Sequence, residues 1–119
     1  MLKVLQAMVS LAALIWMAAC TSTPVQEAPT PESGGVRFSL SVPAAKSVAV
    51  VGSFNGWSPS AHAMTRVGSN GFWSVIVPLP GGEHAFMYLV DGTRWVVPPA
   101  AQDFVTDGFG NTNGVVIVP

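Results

Sequence analysis

The side chains able to carry acid–base, nucleophilic or metal chemistry are few and scattered along the 119 residues. His62 and His84 lie in different segments, with neither a neighbouring cysteine nor an HExxH spacing, which argues against a zinc site. His84 falls where a strand should begin and reads as structural. Asp91, Asp103 and Asp107 do not follow an EF-hand spacing, and the turn pair Asp91-Gly92 accounts for the first of them. There is no GxSxG and no glycine-rich phosphate loop opening a helix. A carboxylate pair would have to come from Glu83, Asp103 or Asp107, each of them near a turn. The sequence therefore points away from an enzyme and calls for no cofactor. What it offers instead is aromatic: Trp57, Trp73 and Trp95. Trp73 alternates with valines and reads as core. Trp57, in Ser53-Phe54-Asn55-Gly56-Trp57-Ser58-Pro59, comes just past a turn, where an indole is expected to be partly exposed. Trp95 follows a hairpin turn and alternates with Arg94. An exposed indole is a platform for a sugar ring, whose axial C–H groups form an apolar face while its hydroxyls need hydrogen-bond partners at the rim. Asn111 and Asn113, in a glycine-rich turn, are candidates for those partners. Spacing alone leaves packing and turn roles open for the same residues.

The elements that must position these residues are short strands. Half of the chain is apolar and 9% is charged, enough core-forming material for a folded domain. Five Lys+Arg against six Asp+Glu give a net charge of -1 without a basic run, which excludes nucleic-acid binding through phosphate neutralisation. Twelve Gly and ten Pro break long helices, and a single Cys rules out a disulfide within the chain. From Val36 the pattern has a period of two: Val36, Phe38, Leu40 and Val42 alternate with polar residues. Further strands are expected at Ser47–Phe54, Met64–Val67, Phe72–Leu79, Glu83–Val90, Thr93–Val97 and Gly114–Val118, with a two-residue hairpin turn at Asp91-Gly92 and an irregular segment after Pro98-Pro99. About seven short strands predict an all-β antiparallel sandwich over residues 36–119.

The first twenty residues differ from the rest. Lys3 precedes an apolar stretch from Val4 to Met17, broken only by Gln6 and Ser10 and followed by Ala18-Ala19-Cys20. A stretch of about 14 residues suits a secretory signal better than an uncleaved anchor, since a membrane span needs roughly 20. Met17-Ala18-Ala19-Cys20 resembles the lipobox of bacterial lipoproteins, with Met17 where that pattern usually has Leu. The resemblance implies a signal peptide over residues 1–19 and a lipid, such as palmitate, on Cys20. Thr21 is not the Asp associated with inner-membrane retention, so the outer membrane is favoured, on its periplasmic side or at the surface. Residues 20–35 then form a flexible tether, Thr21 to Gly35 having three Pro and no aromatic residue.

Four motifs in register carry a second resemblance: Val48–Ser58 (VAVVGSFNGWS), Leu79–His84 (LPGGEH), Val90-Asp91-Gly92 and Gly110–Asn113 (GNTN). Together they resemble the glycogen-binding domain of the AMP-activated protein kinase beta subunit, a member of carbohydrate-binding module family 48. The resemblance implies an early-set immunoglobulin-like sandwich. It also implies that Trp57 and Trp95 stack on an alpha-1,4-glucan, that Asn113 bonds a hydroxyl, and that Phe109 takes the place of an apolar residue lying against the sugar. There are two departures. The family's glucan-contacting lysine corresponds to Met87, and the Asp-Pro that often follows the second tryptophan is Pro98-Pro99 here. The expectation is a membrane-tethered, non-catalytic glucan-binding lipoprotein. The alternative is a cell-envelope interaction or structural module that has kept the fold, lost sugar binding, and uses its aromatic face against a protein or the cell wall.

Overall fold

The computed structural model describes residues 27–119, so the expected signal peptide, Cys20 and the start of the expected tether lie outside the described residues. Alternation of large apolar and small or polar residues produces strands with one face sealed. In β2 (Gly35–Ser41) Val36, Phe38 and Leu40 are buried, and in β5 (Phe72–Val77) Trp73 and Val77 oppose them. The remaining strands are β1 (Thr30–Glu32), β3 (Val48–Gly52), β4 (Thr65–Val67), β6 (Gly82–Val90), β7 (Arg94–Val96), β8 (Asp103–Thr106) and β9 (Thr112–Val118). They form two antiparallel sheets, ordered β1-β2-β5-β4 and β3-β6-β9-β8, with β7 also paired to β6. The molecule is an antiparallel immunoglobulin-like β-sandwich, and no α-helix occurs among the described residues.

The core lies between the sheets. Phe38 and Phe86 meet edge to face at 5.0 Å between ring centres, Phe86 meets Tyr88 at 5.6 Å, and Phe54 stacks on Phe38 at 5.7 Å. The Tyr88 hydroxyl donates to the Ser39 carbonyl at 3.2 Å and so ties one sheet to the other. Burial raises the Tyr88 pKa and keeps the phenol protonated for that bond.

Three local expectations need correction. The segment expected as tether contains β1, whose Thr30, Pro31 and Glu32 pair with Arg37, Val36 and Gly35. A bidentate ion pair fixes it: Arg37 Nε and Nη2 donate to the Glu32 carboxylate at 2.6 and 3.0 Å, while Nη1 donates to Ser74 Oγ on β5 at 2.9 Å. The segment after Pro98-Pro99 is not irregular throughout, because β8 pairs along β9 from Asp103↔Val115 to Thr106↔Thr112. The β6–β7 connection has three residues between the paired Val90 and Arg94, not two, although Asp91 and Gly92 take the positive φ values of 55° and 72° that the Asp-Gly signal requires.

Asp91 also does more than turn the chain. Its Oδ1 accepts from the Lys46 and Ser47 amides at 2.7 and 3.1 Å, and its own amide donates to the Ser47 carbonyl at 2.8 Å, so it pins the loop before β3. The Lys46 and Ser47 amides hold its carboxyl below the usual aspartate range. A depressed folded-state pKa contributes stability that is present above the unfolded value and lost as pH falls through the folded one. The melting temperature should therefore drop as pH is lowered from about 4, the ordinary aspartate range. Asp91→Asn keeps an acceptor oxygen and should flatten part of that dependence in a series of thermal melts. An unchanged slope would show that the contacts of Asp91 do not contribute to acid stability.

Candidate functional site

The site originates in a change of partner along β6. On one edge, β6 pairs with β3 from Phe86 to Val90. On the other edge it pairs with β9 from Gly82 to Phe86 and then with β7 from Tyr88 to Val90, which leaves Met87 at the fork. A cleft of about 450 Å³ opens at this side of the sheet, lined by Trp57, Met87, Trp95, Asp107, Asn111 and Asn113. That volume lies within the range of small-ligand sites. Register puts Trp95, Leu89 and Ala49 on one row, and Met87 and Val51 on the next. Ala49, Val51 and Leu89 form a buried cluster of their own, so the face of β6 opposite the main core is sealed at Leu89 while Met87 stays only half-buried.

The loop presenting Trp57 is rigidly built. After β3, a 3-10 turn at Ser53–Asn55 ends on Gly56 in the left-handed region (φ 67°), and Trp57 follows with φ 59°. The Trp57 amide donates to the Gly52 carbonyl at 2.9 Å. Asn55 is the hub: its Oδ1 accepts from the Gly52 amide at 3.0 Å, and its Nδ2 donates to the Val50 carbonyl at 3.1 Å and to His62 Nδ1 at 2.9 Å. His62 is therefore a prop beneath the turn, with its Nδ1 as acceptor. A left-handed non-glycine residue costs on the order of 1 to 3 kcal/mol, and this network holds it. Trp57 remains 40% exposed and Trp95 50% exposed, whereas Trp73 is 6% exposed and belongs to the core.

The opposite wall comes from the β8–β9 hairpin. Asn113 lies across from Val105 on the paired strands, and Asp107 and Asn111 close the turn, with the Asp107 amide donating to the Asn111 carbonyl at 3.0 Å. The Asp107 carboxylate accepts from the Phe109 amide (2.7 Å), the Asn111 amide (3.1 Å) and Asn111 Nδ2 (2.9 Å), which hold its pKa below the usual range. The structure thus gathers Trp57, Met87, Trp95, Asn111 and Asn113 from five of the six expected positions into one cleft. Phe109, the sixth, is 88% exposed and does not line it. From sequence, Asp107 was weighed as a metal ligand and as one of a carboxylate pair but not as part of this site; its signal is the run Asp107-Gly108-Phe109-Gly110-Asn111, in which an aspartate can cap the turn that carries the asparagine. His84 is structural, its Nε2 donating to the Pro80 carbonyl at 2.8 Å. No group of three His, Cys, Asp or Glu able to hold a metal occurs among the described residues.

An aromatic-walled cleft with carboxamides along one side, on the outer face of an immunoglobulin-like sandwich, defines a sugar-binding type of module. Residues 23–109 match carbohydrate-binding module 48, the isoamylase N-terminal domain, and the chain belongs to that family. The match takes in Trp57, Met87, Trp95 and Asp107 and stops short of Asn111 and Asn113. Among curated proteins the chain is similar to 1,4-alpha-glucan branching enzymes. It is 38% identical to that of Leifsonia xyli subsp. xyli over 57% of this chain and 10% of the relative. It is 47% identical to that of Myxococcus xanthus over 51% of this chain and 7% of the relative. For Synechococcus sp. (strain JA-3-3Ab) the identity is 39% over 51% and 8%. The chain thus spans a tenth or less of the length of these relatives.

Proposed function

We propose that this domain binds an alpha-glucan without acting on it, as a module displayed at the cell envelope through a lipid on Cys20. The observation that carries the reading is the pairing of two half-exposed indoles, Trp57 and Trp95, in one cleft with the carboxamides of Asn111 and Asn113. β7 and the loop after β3 supply apolar faces for pyranose C–H groups, and the β8–β9 hairpin supplies partners for hydroxyls. Among the described residues no Lys, Arg or His lines the cleft, and its one carboxylate, Asp107, is engaged by the turn that carries Asn111. The kinship with branching enzymes and the likeness to the kinase beta subunit's glycogen-binding domain both support an alpha-1,4-linked ligand.

Titration with maltoheptaose and glycogen, set beside beta-glucan and peptidoglycan, tests the ligand class: saturable binding of the alpha-linked sugars is expected. Met87 supplies a thioether where the family's lysine would supply a charged donor. Met87→Lys should tighten alpha-glucan binding by about 0.5 to 1.5 kcal/mol, the net worth of one hydrogen bond, or roughly 2- to 12-fold. If neither wild type nor Met87→Lys binds alpha-glucans, the second reading takes over: a module whose aromatic face and protruding Phe109 meet an envelope protein. The anchor has its own test. A fatty-acid analogue fed to cells should label the wild type and not Cys20→Ala; because one acyl chain binds membranes only marginally, stable anchoring calls for more than one. Recovery of unlabelled protein wholly in the soluble periplasm would remove the tether from the proposal.

A further inference from the structure

We infer that Asp107 is a positioning residue that sets the polarity of the Asn111 carboxamide, so that its oxygen, and not its nitrogen, faces the cleft. The inference rests on the glucan-binding reading for its consequence but not for its geometry.

A carboxylate has only acceptors to offer. The group of Asn111 that meets Asp107 Oδ2 at 2.9 Å must therefore be Nδ2, and Oδ1 is turned away from Asp107. The other carboxylate oxygen, Oδ1, gathers the Phe109 and Asn111 amides at 2.7 and 3.1 Å. One side chain thus fixes both the path of the turn and the orientation of the amide that it carries. The turn needs such a constraint, because Gly108 and Gly110 take φ values of 86° and 93°, and a Cβ at either would meet nothing within 4 Å. Packing therefore does little to hold these two positions. Organising the turn before binding removes an ordering cost from the binding step.

The consequence is a defined acceptor at the wall of the cleft, placed to take a hydrogen from a sugar hydroxyl. In Asp107→Asn the remaining Oδ1 can still serve the two backbone amides, but the new Nδ2 faces Asn111 Nδ2, donor against donor. The relief is a 180° turn of the Asn111 carboxamide, which aims a donor at the cleft. The exchange Asp107→Asn with Asn111→Asp restores one donor to one acceptor across the turn and returns an acceptor oxygen to the wall.

Three proteins decide the matter: wild type, Asp107→Asn and the double exchange, each folded by circular dichroism. Asp107→Asn should weaken maltoheptaose binding about 10-fold, the scale of a mispaired polar contact, and the double exchange should recover most of it. Independently of any ligand, the Asn111 side-chain amide protons should exchange slowly in the wild type and quickly in Asp107→Asn. A wild type that binds no alpha-glucan would refute the function reading, and the exchange data would then decide the orientation alone. Fast side-chain exchange in the wild type, equal binding by wild type and Asp107→Asn, or a double exchange no better than the single one would overturn the inference.

Discussion

Trp57→Ala and Trp95→Ala should each weaken alpha-glucan binding by at least about 2 kcal/mol, roughly 30-fold, with the fold intact. Each indole offers a broad apolar face to the cleft, and each stands half-exposed on a backbone anchored elsewhere: Trp95 by its pairing opposite Leu89, Trp57 by the Asn55–His62 network. Truncation therefore removes the platform without opening the main core. The left-handed backbone at residue 57 supplies a control, since glycine adopts φ 59° without strain. Trp57→Gly should melt no lower than Trp57→Ala and bind as poorly. Isothermal titration beside thermal melts separates the two effects. If either alanine variant bound normally, or unfolded as readily as a core variant, its indole would be a packing residue.

Trp73→Ala should do the reverse, lowering stability by about 3 to 5 kcal/mol, the usual range for a buried aromatic. Trp73 is 6% exposed, its Nε1 donates to the Val42 carbonyl at 3.4 Å, and the Arg66 guanidinium lies 4.8 Å from its ring centre. Arg66 also donates to the Ala45 carbonyl at 2.7 Å, so the loss would loosen the loop between β2 and β3. Small domains have only about 5 to 15 kcal/mol in total. Urea unfolding should show a large fall in midpoint, or no folded protein at all. A change under about 1 kcal/mol would place Trp73 outside the cooperative core.

Where burial wrote the pattern, the sequence was readable. Val36, Phe38 and Leu40 on β2, and Phe86, Tyr88 and Val90 on β6, alternate because one face must leave water, and strands were expected at both places. Every residue of β1 and of β8 is exposed, so neither strand leaves a hydrophobic period to detect. Both are held by pairing to a neighbour, β1 with an ion pair whose partners, Glu32 and Arg37, are unremarkable in the sequence. The cleft divides similarly. Trp57 and Trp95 were legible as bulky aromatics beside turns. Asn111 and Asn113 were legible as carboxamides in a glycine-rich turn, whereas Met87 was placed by family likeness, because no local pattern says that β6 changes partner at residue 87. Asp107 escaped because its role lies in the hydrogen bonds of one turn. Phe109, expected against the ligand, stands 88% exposed on that same turn.

The strand order also has a kinetic consequence. Four pairings, β1–β2, β4–β5, β6–β7 and β8–β9, join neighbours in sequence and can close on the microsecond scale of isolated hairpins. The pairings that weld them into sheets, β2 with β5, β3 with β6 and β6 with β9, must first close long loops, and the Tyr88–Ser39 bond that crosses the sandwich spans 49 positions. Such topology folds in milliseconds to seconds. The cleft draws Met87 and Trp95 from one hairpin, Asp107, Asn111 and Asn113 from another, and Trp57 from neither. No early fragment contains it, so it is completed only when the slowest pairings are made, and a partly assembled chain should present sticky strands before it presents a working cleft.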